Sequence, residues 1–204
     1  MTFGPLRIDH DERVLEPRPW TAAQSYWAAE IASSAPAGPV LELCCGAGQI
    51  GLLAVLGSGR QLVCVDADEV ACDFARANAM AAGIAERVEV RCGRLEEVVG
   101  EHETYPLVIA DPPWVPRSQT GQFPQDPLTA IDGGHDGLDV ARACLDVVSR
   151  HLAPGGAAVL QLGTAAQAER LDEQHLRDDE TLRLVEVRQH PRGVLVRIDR
   201  PASG

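Results

Sequence analysis

Val40-Leu41-Glu42-Leu43-Cys44-Cys45-Gly46-Ala47-Gly48-Gln49-Ile50-Gly51 is an apolar run, then a glycine loop, then the start of an apolar segment. Val40–Leu43 has the length and composition of a short buried strand. Gly46 to Gly51 fits G-x-G-x-x-G between that strand and a helix opening at Ile50. The glycines permit a tight turn and let the backbone approach a ligand. Alone, the loop is shared with dinucleotide enzymes. The next apolar run, Gln61 to Asp66, ends in a carboxylate 20 residues after Gly46, where such a group accepts from ribose hydroxyls. Loop and Asp66 together favour a nucleoside ligand over a plain turn.

Glu42 separates the candidate ligands. A carboxylate just before the loop would repel a pyrophosphate. It would attract a ligand carrying an ammonium and a sulfonium, as S-adenosylmethionine does, and the ribose of that ligand suits Asp66. A buried carboxylate without a cation is costly, so the sequence predicts that Glu42 faces the ligand.

Outward from this loop, strands and helices alternate. Asp68 to Ala82 reads as a helix, capped by Asp68 and stopped by Gly83. Arg87 to Arg91 is a more exposed strand and Tyr105 to Ala110 a buried one. Asp136 to Leu152 is helical, ended by Pro154-Gly155-Gly156. Ala157 to Leu162 is a strand and Ala165 to His175 a helix. Leu182 to Arg188 and Val194 to Ile198 alternate with period two about His190-Pro191-Arg192-Gly193, which is a hairpin. The expected fold is α/β: a Rossmann-like, seven-stranded, mostly parallel sheet with helices on both faces and a C-terminal antiparallel hairpin. Residues 1–38 read as an N-terminal extension, with a helix over Thr21 to Ala32 that packs on the core through Tyr26, Trp27 and Ile31. Residues 39–204 read as the ligand-binding domain.

The run Tyr105–Ala110 ends at Asp111-Pro112-Pro113-Trp114. Two prolines forbid both continued pairing and a helical start. A carboxylate, a stiff turn with free carbonyls and a large flat ring are thereby left at the carboxyl edge of a sheet, where open α/β sheets bind ligands. The set suits a planar NH2 group. The loop Asp132-Gly133-Gly134-His135-Asp136-Gly137-Leu138-Asp139 reads as a turn into the following helix, with Asp136 as its cap and His135 as a loop residue rather than a base.

The chain has 204 residues and a formal net charge of −12, with its arginines scattered. Nucleic acid is disfavoured as a partner, because binding it needs a basic face. No apolar run reaches the length of a membrane span. No secretion signal is evident, and the six cysteines form no C-x-x-C pair, so reduced thiols in a cytoplasmic protein are expected, with no metal site.

These stretches resemble the class I S-adenosylmethionine methyltransferases, and among them the release-factor glutamine methyltransferase group. The carriers are Val14-Leu15-Glu16-Pro17-Arg18-Pro19-Trp20-Thr21, Leu41 to Gly48, Asp111 to Trp114, and Ala130 to Asp139, in that order. The resemblance implies S-adenosyl-L-methionine as cofactor. It places Glu42, Gly46 and Gly48 at the methionine end, with Cys44 where the group has its first loop glycine. Asp66 takes the ribose, Ala67 and Asp68 lie near the adenine, and the segment around Arg18 closes over the pocket. Asp111, Pro112 and Trp114 hold the acceptor nitrogen.

The group usually has Asn-Pro-Pro-Tyr, and Asp in the first place is also seen in methyltransferases of adenine's exocyclic amine. Its N-terminal helical domain has no room in residues 1–38, so a release factor is not carried over as substrate. The implied activity is N-methylation of a glutamine-like amide or an exocyclic amine on a protein or small molecule. An RNA amine, a nicotinamide-dependent oxidoreductase and a non-catalytic cofactor-binding subunit stand as alternatives.

Overall fold

The computed structural model describes residues 1–202. A short hairpin, β1 (Thr2–Phe3) with β2 (Leu6–Arg7), opens the chain. One sheet follows, built from β3 (Val40–Leu43), β4 (Leu62–Asp66), β5 (Val88–Cys92), β6 (Tyr105–Ala110), β7 (Leu152–Leu162), β8 (Arg183–His190) and β9 (Gly193–Asp199). Its order is β5-β4-β3-β6-β7-β9-β8. All pairs are parallel except those made by β9. The seven-stranded parallel sheet with a terminal antiparallel hairpin is the architecture the alternation predicts.

Helices cover both faces. The strands bury side chains on each face by period-two alternation. Leu41 and Leu43 face the layer that holds α4 (Leu95–Val98), α6 (Asp139–His151) and α7 (Ala165–Leu171). Val40 faces the layer of α1 (Ala22–Ala32), α2 (Gln49–Val55) and α3 (Glu69–Ala81). The chain leaves β3 towards β4 on one side and later returns to pair β6 on the other. That reversal opens a crevice at the carboxyl ends of these three strands.

Three local expectations are corrected. Tyr26 is 56% exposed. The face of α1 that packs inward carries Gln24, Ser25, Trp27, Ala28 and Ile31 instead. Gln24 can be buried there because its amide donates to the carbonyls of Ala110 and Val159, at 2.9 and 3.0 Å. The helix expected from Asp136 begins at Asp139, because the glycines before it are used in a packed loop. Pro154-Gly155-Gly156 does not separate helix from strand. β7 begins at Leu152, and its register against β6 jumps from Tyr105↔Leu152 to Leu107↔Ala157, so the three residues bulge within the strand. Asp68 caps α3 as expected, its carboxylate accepting from Val70 N at 2.8 Å. No described helix is long and apolar enough to cross a membrane.

Candidate active site

The crevice between the ends of β3, β4 and β6 opens into a cleft of about 780 Å³, a volume within the range of small-molecule sites. Its floor is set by strand ends. Parallel pairing puts Leu43 beside both Val65 and Ala110, so Cys44, Asp66 and Asp111 emerge together. Cys44, Cys45, Gly46, Gln49, Asp66, Ala67, Asp68 and Asp111 all line the cleft. The mouth is formed by Arg13 to Arg18 on one side and by Pro127 to Ala130, in and before α5 (Leu128–Ile131), on the other. Arg18 joins these sides, donating to both oxygens of Asp126 at 2.7 and 2.9 Å.

Asp66 organises the loop. One carboxylate oxygen accepts from Gly46 N at 2.8 Å and the other from Asp68 N at 3.0 Å. Each oxygen keeps a lone pair for a further donor. Burial raises its carboxyl above the usual range, against the pull of these backbone bonds. Gly46 sits at φ +53, with open space where a Cβ would project, so the backbone there is a bare surface for a ligand. Cys44 adopts φ +57, a left-handed conformation that costs a residue with a Cβ about 1–2 kcal/mol. Its thiol lies 4.0 Å from that of Cys144 in α6.

Asp111 is the other anionic group of the floor. Its backbone N donates to Leu43 O at 3.3 Å, which ties the turn to β3. Burial alone raises its carboxyl from 3.8 to about 7. The arginines of the cleft are already engaged by Asp11, Asp126 and Glu96. A cation entering here would meet carboxylates that are not matched by free positive charge.

Four expected placements are corrected, Glu42 and Gly48 on the cofactor side and Pro112 and Trp114 on the acceptor side. Glu42 does not line the cleft. Alternation along β3 puts it on the α2 face with Val40, and the pairing puts it beside Cys64 and Ile109. Its carboxyl accepts from Gly51 N at 2.8 Å and from the Cys64 thiol at 3.3 Å. Burial raises it from 4.5 to about 8, so at neutral pH it is chiefly an uncharged acid and needs no cation. Gly48 also stays out of the cleft. It is the left-handed N-cap of α2 at φ +81, and a Cβ there would stand 3.2 Å from Ala75 of α3.

On the acceptor side, Asp111 and Pro113 line the cleft, whereas Pro112 and Trp114 stand outside its wall. The Trp114 ring packs against Gly163 so closely that a Cβ there would lie 2.4 Å from the ring. The loop from Asp132 braces this turn. Val115 N donates to Ile131 O, Gly133 N to Val115 O and Arg117 N to Gly134 O, at 3.0, 2.9 and 2.7 Å. Asp136 bonds Leu138 N at 3.2 Å and pairs with Arg142 at 2.8 Å, which explains why it anchors the loop rather than heading the helix.

Polar residues that the pattern did not flag complete the site. Gln49 lines the cleft, and its side-chain oxygen is shielded from solvent with no partner among the described residues. A lone acceptor of that kind at the loop suits an ammonium. Together with the free lone pairs of Asp66, the bare Gly46 backbone and the anionic floor, it makes the donor set fit S-adenosylmethionine.

Comparisons with known proteins give the family and the fold. Residues 40–156 match the family model described as a methyltransferase domain. The release factor glutamine methyltransferase of Mycobacterium tuberculosis is 32% identical over 167 residues, 76% of this chain and 53% of that protein. The corresponding enzyme of Gloeobacter violaceus is 31% identical over 163 residues, 77% and 57% of the two chains. The ribosomal protein uL3 glutamine methyltransferase of Bradyrhizobium diazoefficiens is 35% identical over 129 residues, 61% and 40%. The chain thus spans about half the length of the curated relatives it matches. Among solved structures, the human Mettl16 catalytic domain bound to an RNA hairpin superposes with a TM-score of 0.72 at 16% identity, covering 96% of this chain and 74% of that one. An RNA methyltransferase from Salinibacter ruber in complex with S-adenosyl-L-homocysteine gives 0.59 at 18%, covering 94% and 96%. At these identities the structural likeness speaks for the fold.

Proposed function

Because the chain belongs to the methyltransferase-domain family, the class I S-adenosylmethionine-dependent enzymes, we propose that it methylates a planar nitrogen held at Asp111-Pro112-Pro113-Trp114. S-Adenosylmethionine supplies an electrophilic methyl group on a sulfonium. Asp66, Ala67 and Asp68 hold the nucleoside end, Cys44, Gly46 and Gln49 line the methionine end, and the segment bearing Arg18 closes the mouth. The observation that carries the reading is the Asp111 carboxylate, which stands in the same cleft as Gly46 and Asp66.

An amide or aromatic amine is a poor nucleophile because its lone pair is delocalised. Asp111, which lines the cleft, accepts an N–H bond of that nitrogen, which turns the lone pair towards the methyl. It also stabilises the positive charge that grows on nitrogen, an effect of roughly 2–4 kcal/mol. Trp114, whose ring packs on Gly163 outside the cleft wall, holds the turn in place and so fixes where Asp111 presents its carboxylate.

The relatives named above act on glutamine in release factors and in uL3, which supports a glutamine-like amide on a protein. The anionic cleft supports the same choice over a polyanion. The test is transfer of labelled methyl from S-adenosylmethionine into extract of cells lacking the protein. Mass spectrometry then locates the label. Label on a glutamine amide is expected, and label in RNA would move the acceptor to an exocyclic amine. If the wild-type chain transfers no more label than the D111A variant, the proposal fails.

A further inference from the structure

Gln167 lies on α7, outside the cleft, and is 8% exposed. Its side chain is fully engaged. The oxygen accepts from Gly163 N at 3.0 Å and Thr164 N at 3.1 Å. The amide nitrogen donates to Trp114 O at 2.9 Å, Asp136 O at 3.2 Å and Gly137 O at 3.4 Å. Two N–H groups on one side and three carbonyls on the other fix which end is oxygen and which is nitrogen. One amide therefore joins the end of β7, the acceptor turn and the glycine loop.

Two glycines clear the approach. A Cβ on Gly137 would stand 2.3 Å from Trp114 O and 2.4 Å from the Gln167 nitrogen. One on Gly163 would stand 2.4 Å from the Trp114 ring and 2.9 Å from the Gln167 oxygen. At the other end of the turn, Gln24 donates to Ala110 O, the carbonyl just before Asp111. The four residues that hold the acceptor are thus pinned at entry from one face of the sheet and at exit from the other.

We propose that Gln167 is a positioning residue for methyl transfer: its amide N–H groups set the acceptor turn through the Trp114 carbonyl. This rests on the reading of Asp111 to Trp114 as the acceptor site. The residues proposed to hold the cofactor lie at the ends of β3 and β4, away from α7, so the effect falls on turnover and not on cofactor affinity.

The variant Gln167→Glu separates this role from simple helix capping. It keeps an oxygen for Gly163 N and Thr164 N and replaces the donor to the Trp114, Asp136 and Gly137 carbonyls by a second acceptor. The expected result with labelled S-adenosylmethionine and a fixed cell extract is a rate at least tenfold lower at saturating cofactor. The KM for S-adenosylmethionine and the Kd for S-adenosylhomocysteine stay within twofold. Hydrogen exchange at Val115 and Arg117 accelerates, while Gly163 and Thr164 stay protected. Gln167→Met, which adds no charge, shows the same rate loss.

A wild-type rate in either folded variant overturns the proposal. So does a rate loss matched by an equal loss of S-adenosylhomocysteine affinity. If the wild-type chain transfers no methyl at all, the reading of the reaction has failed. Exchange then decides the positioning role by itself: unchanged exchange at Val115 and Arg117 in Gln167→Glu refutes it, and faster exchange sustains it.

Discussion

Replacing Asp111 with Asn should stabilise the protein while removing its pH response. In the free protein burial holds the Asp111 carboxyl at about 7, against 3.8 for an unperturbed Asp. A raised acid destabilises the fold wherever the unfolded chain is ionised and the folded one resists ionisation. The penalty is absent below 3.8, grows as pH rises, and is complete above about 7. At about 1.36 kcal/mol per pH unit the ceiling is about 4 kcal/mol. For a chain of this size a ceiling of that height raises Tm by at most roughly 8–16 °C. Melting curves of wild type and D111N between pH 4 and 8 measure it, without ligand. The Tm difference should be near zero at pH 4, widen through pH 7 and then level off. Turnover should behave in the opposite sense. Wild-type kcat/KM should rise about tenfold from pH 6 to 8 as the carboxylate ionises, and D111N, which keeps one carbonyl acceptor, should be slower and flat over that range. A D111N chain that melts below wild type at pH 8, or a Tm difference independent of pH, would refute the assignment of a strained carboxylate here.

D111A should lose turnover by at least about a hundredfold, while the S-adenosylhomocysteine Kd, by calorimetry, stays within a few-fold; a parallel loss of binding would place Asp111 in the cofactor half. E42Q should leave that Kd unchanged and hold or raise Tm at pH 8, because Glu42, raised to about 8 by burial, costs the fold progressively as pH climbs from 4.5. A tenfold loss of affinity in E42Q would restore it to the cleft. D66A removes the acceptor that holds both Gly46 N and Asp68 N, and cofactor binding in a thermal-shift titration should weaken by at least tenfold. G137A forces a Cβ to within 2.3 Å of the Trp114 carbonyl at a φ of +79; a loss of about 1–3 kcal/mol in denaturant unfolding is expected, with unchanged stability counting against the packed brace.

The fold was legible because it rests on long-period signals. Buried strands with helices between them, a glycine loop after the first and a period-two hairpin at the end leave few topologies open. Local boundaries were less legible where glycines serve packing rather than termination. Pro154-Gly155-Gly156 reads as a stop, yet forms a bulge inside β7. Asp136 reads as a cap, yet its charge is spent on Arg142 and Arg170. Gln24, Gln49 and Gln167 gave no signal at all. A glutamine's role is set by which carbonyls and N–H groups surround it in space, and nothing in a linear pattern reports that.

Glu42 shows where charge reasoning needs geometry. A buried carboxylate must be compensated, and a cationic ligand is one way. Protonation is the other, and the environment chooses between them. Alternation along β3 already decides it: Leu41 and Leu43 share one face, so Glu42 shares the other with Val40 and meets α2. The Gly51 position in G-x-G-x-x-G then acquires a second meaning. A Cβ there would lie 2.3 Å from the Glu42 carboxyl, so the last glycine admits an acid that bonds the N–H of α2 and ties helix to strand. The anionic floor that a sulfonium would meet is supplied instead by Asp66, the last residue of β4, and Asp111, the residue just after β6. The proposed cofactor and acceptor halves of the cleft would therefore be set by one structural fact, the common register of β3, β4 and β6 at Leu43, Val65 and Ala110.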